Sequence, residues 1–133
     1  MVCDVRRFPA SRRHPQFNAD ALRESLGAAN VAYEQFGEEL GGRRRPTRPA
    51  EQSAWRVEGF RGYAEYMETA PFQAGLERLE ALARDRRVAV MCAEGSWRRC
   101  HRRLIADALT ARDWLVIHIG PDGRTEEHQP MLG

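Results

Sequence analysis

The chain has 133 residues, 42% hydrophobic and 30% charged, the proportions of one globular domain large enough for a real core. A formal net charge of +2 is too small for general nucleic-acid affinity, and no apolar run has the length of a membrane span or the layout of a secretory leader. The expectation is a cytoplasmic protein with no membrane partner.

All of the 21 basic residues are arginine, a cation with the bidentate geometry that suits phosphate and carboxylate. The three cysteines, an odd number with no secretory signal, argue against a disulfide framework. Cys3 lies in an apolar strand and reads as packing.

In chain order, residues 1–5 read as a strand, followed by a loop barred from regular structure by Pro9 and Pro15. Asn18 is placed to cap a helix over 19–28, with Leu22 and Leu26 on one face. A second strand is expected over 31–36. Leu40-Gly41-Gly42 then opens a basic loop, Arg43-Arg44-Arg45-Pro46-Thr47-Arg48-Pro49. Such a loop has the charge to touch nucleic-acid backbone without reading sequence, with Trp55, Phe60 and Tyr63 as stacking surfaces, although core packing suits Phe60 better.

Phe60, Tyr63, Ala64 and Met67 recur at helical spacing, which predicts a helix over 58–68. Thr69 caps the next, with Pro71 in its first turn and cations from Arg84 to Arg87 at its end. A third strand is expected over 88–92, and after a turn at Gly95-Ser96 a helix from Arg98 packs through Leu104, Ile105 and Leu109. A fourth strand follows over 114–119. Gly120-Pro121-Asp122-Gly123 reads as a turn and the remainder as a frayed tail.

Strands alternate with helices, so the fold class is α/β: a Rossmann-like three-layer arrangement with a mainly parallel sheet of about four strands. The single domain spans 1–120, and the tail 121–133. In such sheets ligands sit outside the carboxyl ends of strands, beside helix N-termini that favour anions. That points to the junction of the third strand and the helix after it. Cys92, Glu94 and His101 are its candidate catalytic residues, with the Cys92 thiol expected to be acidified where it is accessible. Arg6, Arg12 and Arg102 are the candidate ligand-binding residues. Glu94 has two roles open, and the structural one, pairing with Arg6 or Arg102, is favoured.

Cys92, Gly95 and Arg98 fit the spacing of a cysteine phosphate loop, but no Ser or Thr follows Arg98 and no His precedes Cys92. Cys92, Cys100 and His101 lack the second pair of a structural zinc site, so no metal is assigned and no cofactor follows from the residues. Cys100 reads as packing under the helix.

Asp4-Val5-Arg6-x-x-Pro9-x-Ser11-Arg12, Phe17, Leu40-Gly41-Gly42, Phe60-Arg61-Gly62-Tyr63 and Cys92-Ala93-Glu94 followed by Cys100-His101-Arg102 together resemble the domain of unknown function 488 family. The match runs from Val2 to about Ile119. The resemblance implies a cytoplasmic α/β domain, with labels on some relatives that tie them to DNA repair. It also implies that Arg6, Arg12, Cys92, Glu94, Cys100, His101 and Arg102 occupy motif positions. Family members usually begin one strand and one helix earlier, with a Thr-Ile-Gly-His-type segment. The sheet edge left bare without it leads us to expect low solubility or self-association into a homo-oligomer. The functional expectation is a polar, arginine-rich pocket for a phosphate-bearing ligand, a nucleotide or nucleic acid, with enzymatic activity left open. The alternative is a non-enzymatic nucleic-acid-binding accessory module associated with repair.

Overall fold

The computed structural model describes residues 1–50 and 57–130; Trp55 lies outside them. The described chain falls into two compact units, one of residues 1–43 and 66–91, the other of residues 44–65 and 92–133.

The first unit is built on a parallel sheet. Strand β1 (Val2–Asp4) is central, flanked by β2 (Tyr33–Gln35) and β3 (Ala89–Met91), with Cys3 opposite both Glu34 and Val90. Helix α1 (Ala19–Ala28) connects β1 to β2, and α2 (Gly37–Leu40) and α4 (Ala70–Asp85) complete the unit. The boundaries of α1 are those the sequence periodicity predicts. The Asn18 side chain does not cap it: its Oδ1 accepts from the Ser11 N–H at 2.6 Å, tying down the preceding loop instead. Thr69 does cap α4, accepting from the Phe72 N–H at 3.4 Å. Cys3, Val5, Leu22, Tyr33, Phe36, Leu40, Phe72, Leu76 and Leu79 are the buried core. Gly75 lets α4 approach α2, because a Cβ there would run into the Glu39 side chain. The Arg78 guanidinium lies over the Phe36 ring, its Cζ 4.0 Å from the centroid, while pairing with Glu34 and Glu39.

The α/β class holds, but among the described residues the fourth expected strand does not extend the parallel sheet into the four-stranded Rossmann-like layout. In the second unit β4 (Ile117–Ile119) pairs antiparallel with β5 (Thr125–Glu127) in a separate two-stranded sheet, so the parallel sheet has three strands. The physical reason lies in Gly120–Gly123. The Gly120 N–H donates to the Arg124 carbonyl and the Gly123 N–H to the Gly120 carbonyl, making a tight reversal that returns the chain along β4. The segment expected to fray is therefore strand as far as Glu127, and the His128 side chain that follows is buried.

Helix α3 (Glu58–Tyr66) and α5 (Arg102–Ala111) complete the described elements, with turns of 3-10 helix at Pro15–Phe17 and Trp97–Arg99. Tyr63, Cys100, Leu104, Ile105 and Ala106 are the buried residues of the second unit's core. The Glu65 carboxylate accepts from the Thr47 N–H and Arg48 N–H, both at 2.7 Å, and from the Thr47 hydroxyl at 3.0 Å. These bonds, the Thr47 amide first, hold its pKa below the usual carboxylate range. They also lay the basic loop along α3.

The loop approaches closest at Gly62, where a Cβ would meet the Arg44 carbonyl oxygen. Backbone cannot swing aside as a side chain does, so Gly62→Ala is expected to cost about 1–3 kcal/mol. Gly59, on the same helix, faces open space, and Gly59→Ala should instead be neutral or stabilising by about 0.5–1 kcal/mol. Urea denaturation of the two variants checks the contrast; equal stabilities would contradict the close approach.

Candidate functional site

The segment from Cys92 to Arg102 gathers most of the expected site residues within the second unit. Cys92 follows β3 in the chain and is partly exposed; Cys100 is 6% exposed and sits two residues before the first residue of α5. Their Sγ atoms lie 2.8 Å apart, both as free thiols. The Glu94 N–H donates to Cys92 Sγ at 3.3 Å and the Arg102 N–H to Cys100 Sγ at 3.5 Å. The Nδ1 atom of His101 lies 3.6 Å from Cys100 Sγ, and its ring rests 5.0 Å from that of Tyr63.

Two thiols this close cannot both ionise, so they share a proton unequally. Cys100 is pulled down to about 4, chiefly by the hydrogen bond from Cys92 and further by His101 and the Arg102 amide, against the opposing effect of burial. Cys92 is pushed far up by the same hydrogen bond, then by burial. The pair shares one charge, and the donors favour Cys100, read from the sequence as packing, as the sulfur that carries it, next to a helix N-terminus where amide N–H groups stabilise sulfur anions.

Glu94 acts through its main chain. Its carbonyl accepts from Arg102 NH2 at 2.6 Å, and its N–H reaches Cys92. The exposed Glu94 carboxylate makes no ion pair among the described residues, so the expected pairing through that group with Arg6 or Arg102 is absent. The Nε of Arg102 is buried and has no hydrogen-bond partner among the described residues.

Arg98 turns away from Cys92. Its guanidinium donates to Glu126 at 3.1 Å and lies 4.6 Å from the Trp97 ring centroid, which disposes of the phosphate-loop spacing. Trp97 stacks on His118 with centroids 3.9 Å apart and planes 2° from parallel, and donates its indole N–H to Glu126 at 2.7 Å. His118 Nε2 lies 2.8 Å from His128 Nδ1, and His128 Nε2 lies 2.6 Å from Asp107 Oδ1. Burial first, then His128 and the cations Arg102 and Arg98, hold the His118 pKa down to about 4. Sequence reasoning missed this chain of groups. In β4 the histidine faces inward while Ile117 and Ile119 are exposed, the reverse of what their polarity suggests.

The other two expected ligands belong to the first unit. Arg6 is engaged by Asp4, with Nε donating to Oδ1 at 2.9 Å and NH2 to Oδ2 at 2.7 Å. That bond raises its pKa further. Arg12 is exposed on the loop before α1. Among the described residues, no three His, Cys, Asp or Glu side chains converge as a metal-binding set, and no helix is long and apolar enough to cross a membrane.

No curated protein and no solved structure matches the chain significantly. The sequence pattern of one family does, over residues 1–109, taking in β1 through most of α5 and all of Cys92–Arg102 but not the β4–β5 hairpin. The chain belongs to the DUF488 family, a domain of unknown function.

Proposed function

We propose that the second unit carries a cysteine-centred site for a small anionic ligand bearing a phosphate or carboxylate, with Cys100 as its thiolate and Arg102 as the cation that holds the ligand. The observation that carries this reading is the thiol pair before the N-terminus of α5, with its sulfurs 2.8 Å apart and the Arg102 amide donating to Cys100. The buried Nε of Arg102, without a hydrogen-bond partner among the described residues, is the second support, because a guanidinium donor out of water is stabilised by an acceptor. Thiolate attack on an electrophilic centre of the bound ligand is the chemistry such a site offers. In it Cys92 holds the proton and His101 neighbours the sulfur. Arg6, already clamped to Asp4, is not needed for it.

Thiolate absorbance in the ultraviolet reads the charge without requiring reagent access. Wild-type protein at about pH 6 is expected to show one thiolate, where ordinary thiols show none. Cys100→Ser should abolish it, and Cys92→Ala, which removes the donor, should move its midpoint up by about one pH unit or more. Inorganic phosphate should bind wild type and lose affinity in Arg102→Ala but not in Arg12→Ala. Absence of the thiolate at about pH 6 would refute the reading. Steeply salt-dependent DNA binding that is indifferent to Cys100→Ser and Arg102→Ala would favour the nucleic-acid module in its place.

A further inference from the structure

We propose that Cys92 and Cys100 form a redox-active dithiol that exchanges with a low-molecular-weight disulfide carrying an acidic group. The proposal rests on the site reading above and names its substrate class. The two sulfurs are already in contact at 2.8 Å, so closing to a disulfide of about 2.05 Å needs less than ~1 Å of movement. Each sulfur also accepts a main-chain N–H, from Glu94 and Arg102, which fixes the direction in which they face. A pair that merely filled core would show neither feature.

Exposure decides the order of events. Cys92 is the partly exposed sulfur and Cys100 the buried one, so a disulfide too large to enter the core meets Cys92 first. A proton shift across the sulfur–sulfur contact moves the negative charge from Cys100 to Cys92. The Cys92 thiolate then attacks one sulfur of the substrate, forming a mixed disulfide and expelling one substrate thiolate, which takes a proton from solvent. Cys100 loses its proton and attacks Cys92 Sγ, forming the Cys92–Cys100 disulfide and expelling the second substrate thiolate, which is protonated in turn. Two electrons pass from the dithiol to the substrate disulfide, which leaves as two thiols. The acidic group follows from Arg102, whose Nε is buried and has no hydrogen-bond partner among the described residues while its NH2 is held by the Glu94 carbonyl.

Cys3 provides an internal control. It is a free, fully buried cysteine, and its thiol is pushed up to about 11 mainly by burial. It should stay reduced throughout.

The experiment treats the full chain with oxidised glutathione, which is anionic, or with cystamine, a cationic disulfide, then quenches with acid, alkylates and weighs the protein. With oxidised glutathione, the expected result is loss of two hydrogens and a single alkylatable thiol, Cys3. That oxidation should run about tenfold faster than with cystamine, and Arg102→Ala should reduce the preference towards parity. Cys100→Ser should stop at a mixed disulfide on Cys92. Equal rates for the two reagents in wild type would overturn the acidic substrate class. Three alkylatable thiols remaining after both reagents, with thiolate absorbance present at about pH 6, would overturn the redox proposal and leave the anionic-site reading standing. The same result without that absorbance would remove both.

Discussion

Asp4→Ala should lower the stability of the protein by about 3–5 kcal/mol, the usual cost of removing one partner from a buried ion pair. Asp4 is 1% exposed at the carboxyl end of the central strand β1, and its two oxygens serve four donors. They accept from the Arg6 main-chain N–H at 3.0 Å, from Arg6 Nε and NH2, and from the Tyr33 hydroxyl on the neighbouring strand. Removing the carboxylate leaves a guanidinium side chain only 12% exposed with no counter-charge, and a phenol in the core without its acceptor. Burial first, then the bond to Asp4, holds the Tyr33 hydroxyl up at about 12, so in the native protein it is a neutral donor to the carboxylate. Tyr33→Phe removes one hydrogen bond and leaves the pair, and is expected to cost only about 1 kcal/mol. Urea denaturation separates the cases. A loss below about 1 kcal/mol for Asp4→Ala would mean that the clamp is not buried as described.

The second large effect is an acid one, centred on His118. In the unfolded chain this histidine takes up a proton below about pH 6.5. Folded, it refuses the proton until about pH 4, because it is buried against Trp97 and His128 with cationic arginines nearby. Between those values the unfolded state binds more protons, so stability falls as the pH falls. The loss is absent above about pH 7 and complete near pH 4, where it amounts to about 3 kcal/mol. His118→Phe keeps a flat ring against Trp97 and deletes the proton site. Thermal melts of both proteins at several pH values should show the variant losing less stability over this window, although its melt at neutral pH starts lower for want of the bond to His128. Parallel pH profiles would refute the assignment, since every other titrating group is common to the two.

Local signals carried far into the fold where one element decides its own state. The apolar spacing of Leu22 and Leu26 gives α1 its extent, and Thr69 with Pro71 gives α4 its start, because caps and helical stripes act within a few residues. Parallel pairing of the three strands also followed from their alternation with helices. The fourth strand did not join them. An apolar run such as Trp114 to Ile119 satisfies any sheet that offers a partner edge, and the partner here is Thr125–Glu127, a polar segment with no strand signal of its own.

The candidate site divides along the same line. Family membership, the Cys92–Arg102 segment and its proximity to a helix N-terminus were all legible in the order of residues. Which cysteine carries the charge was not, because the shared proton stays on the sulfur with fewer hydrogen-bond donors aimed at it, and those donors, the Arg102 amide among them, are placed by the folded backbone. Asp107, His118 and His128 gave no pattern in sequence, being 10 or more residues apart, yet α5 and the hairpin bring them into one hydrogen-bonded row. Periodicity, caps and motif identity are properties of neighbours along the chain, so the sequence by itself determined them. Proton sharing, the Asp4 clamp and the histidine row depend on distances between segments, and only the tertiary structure decided those.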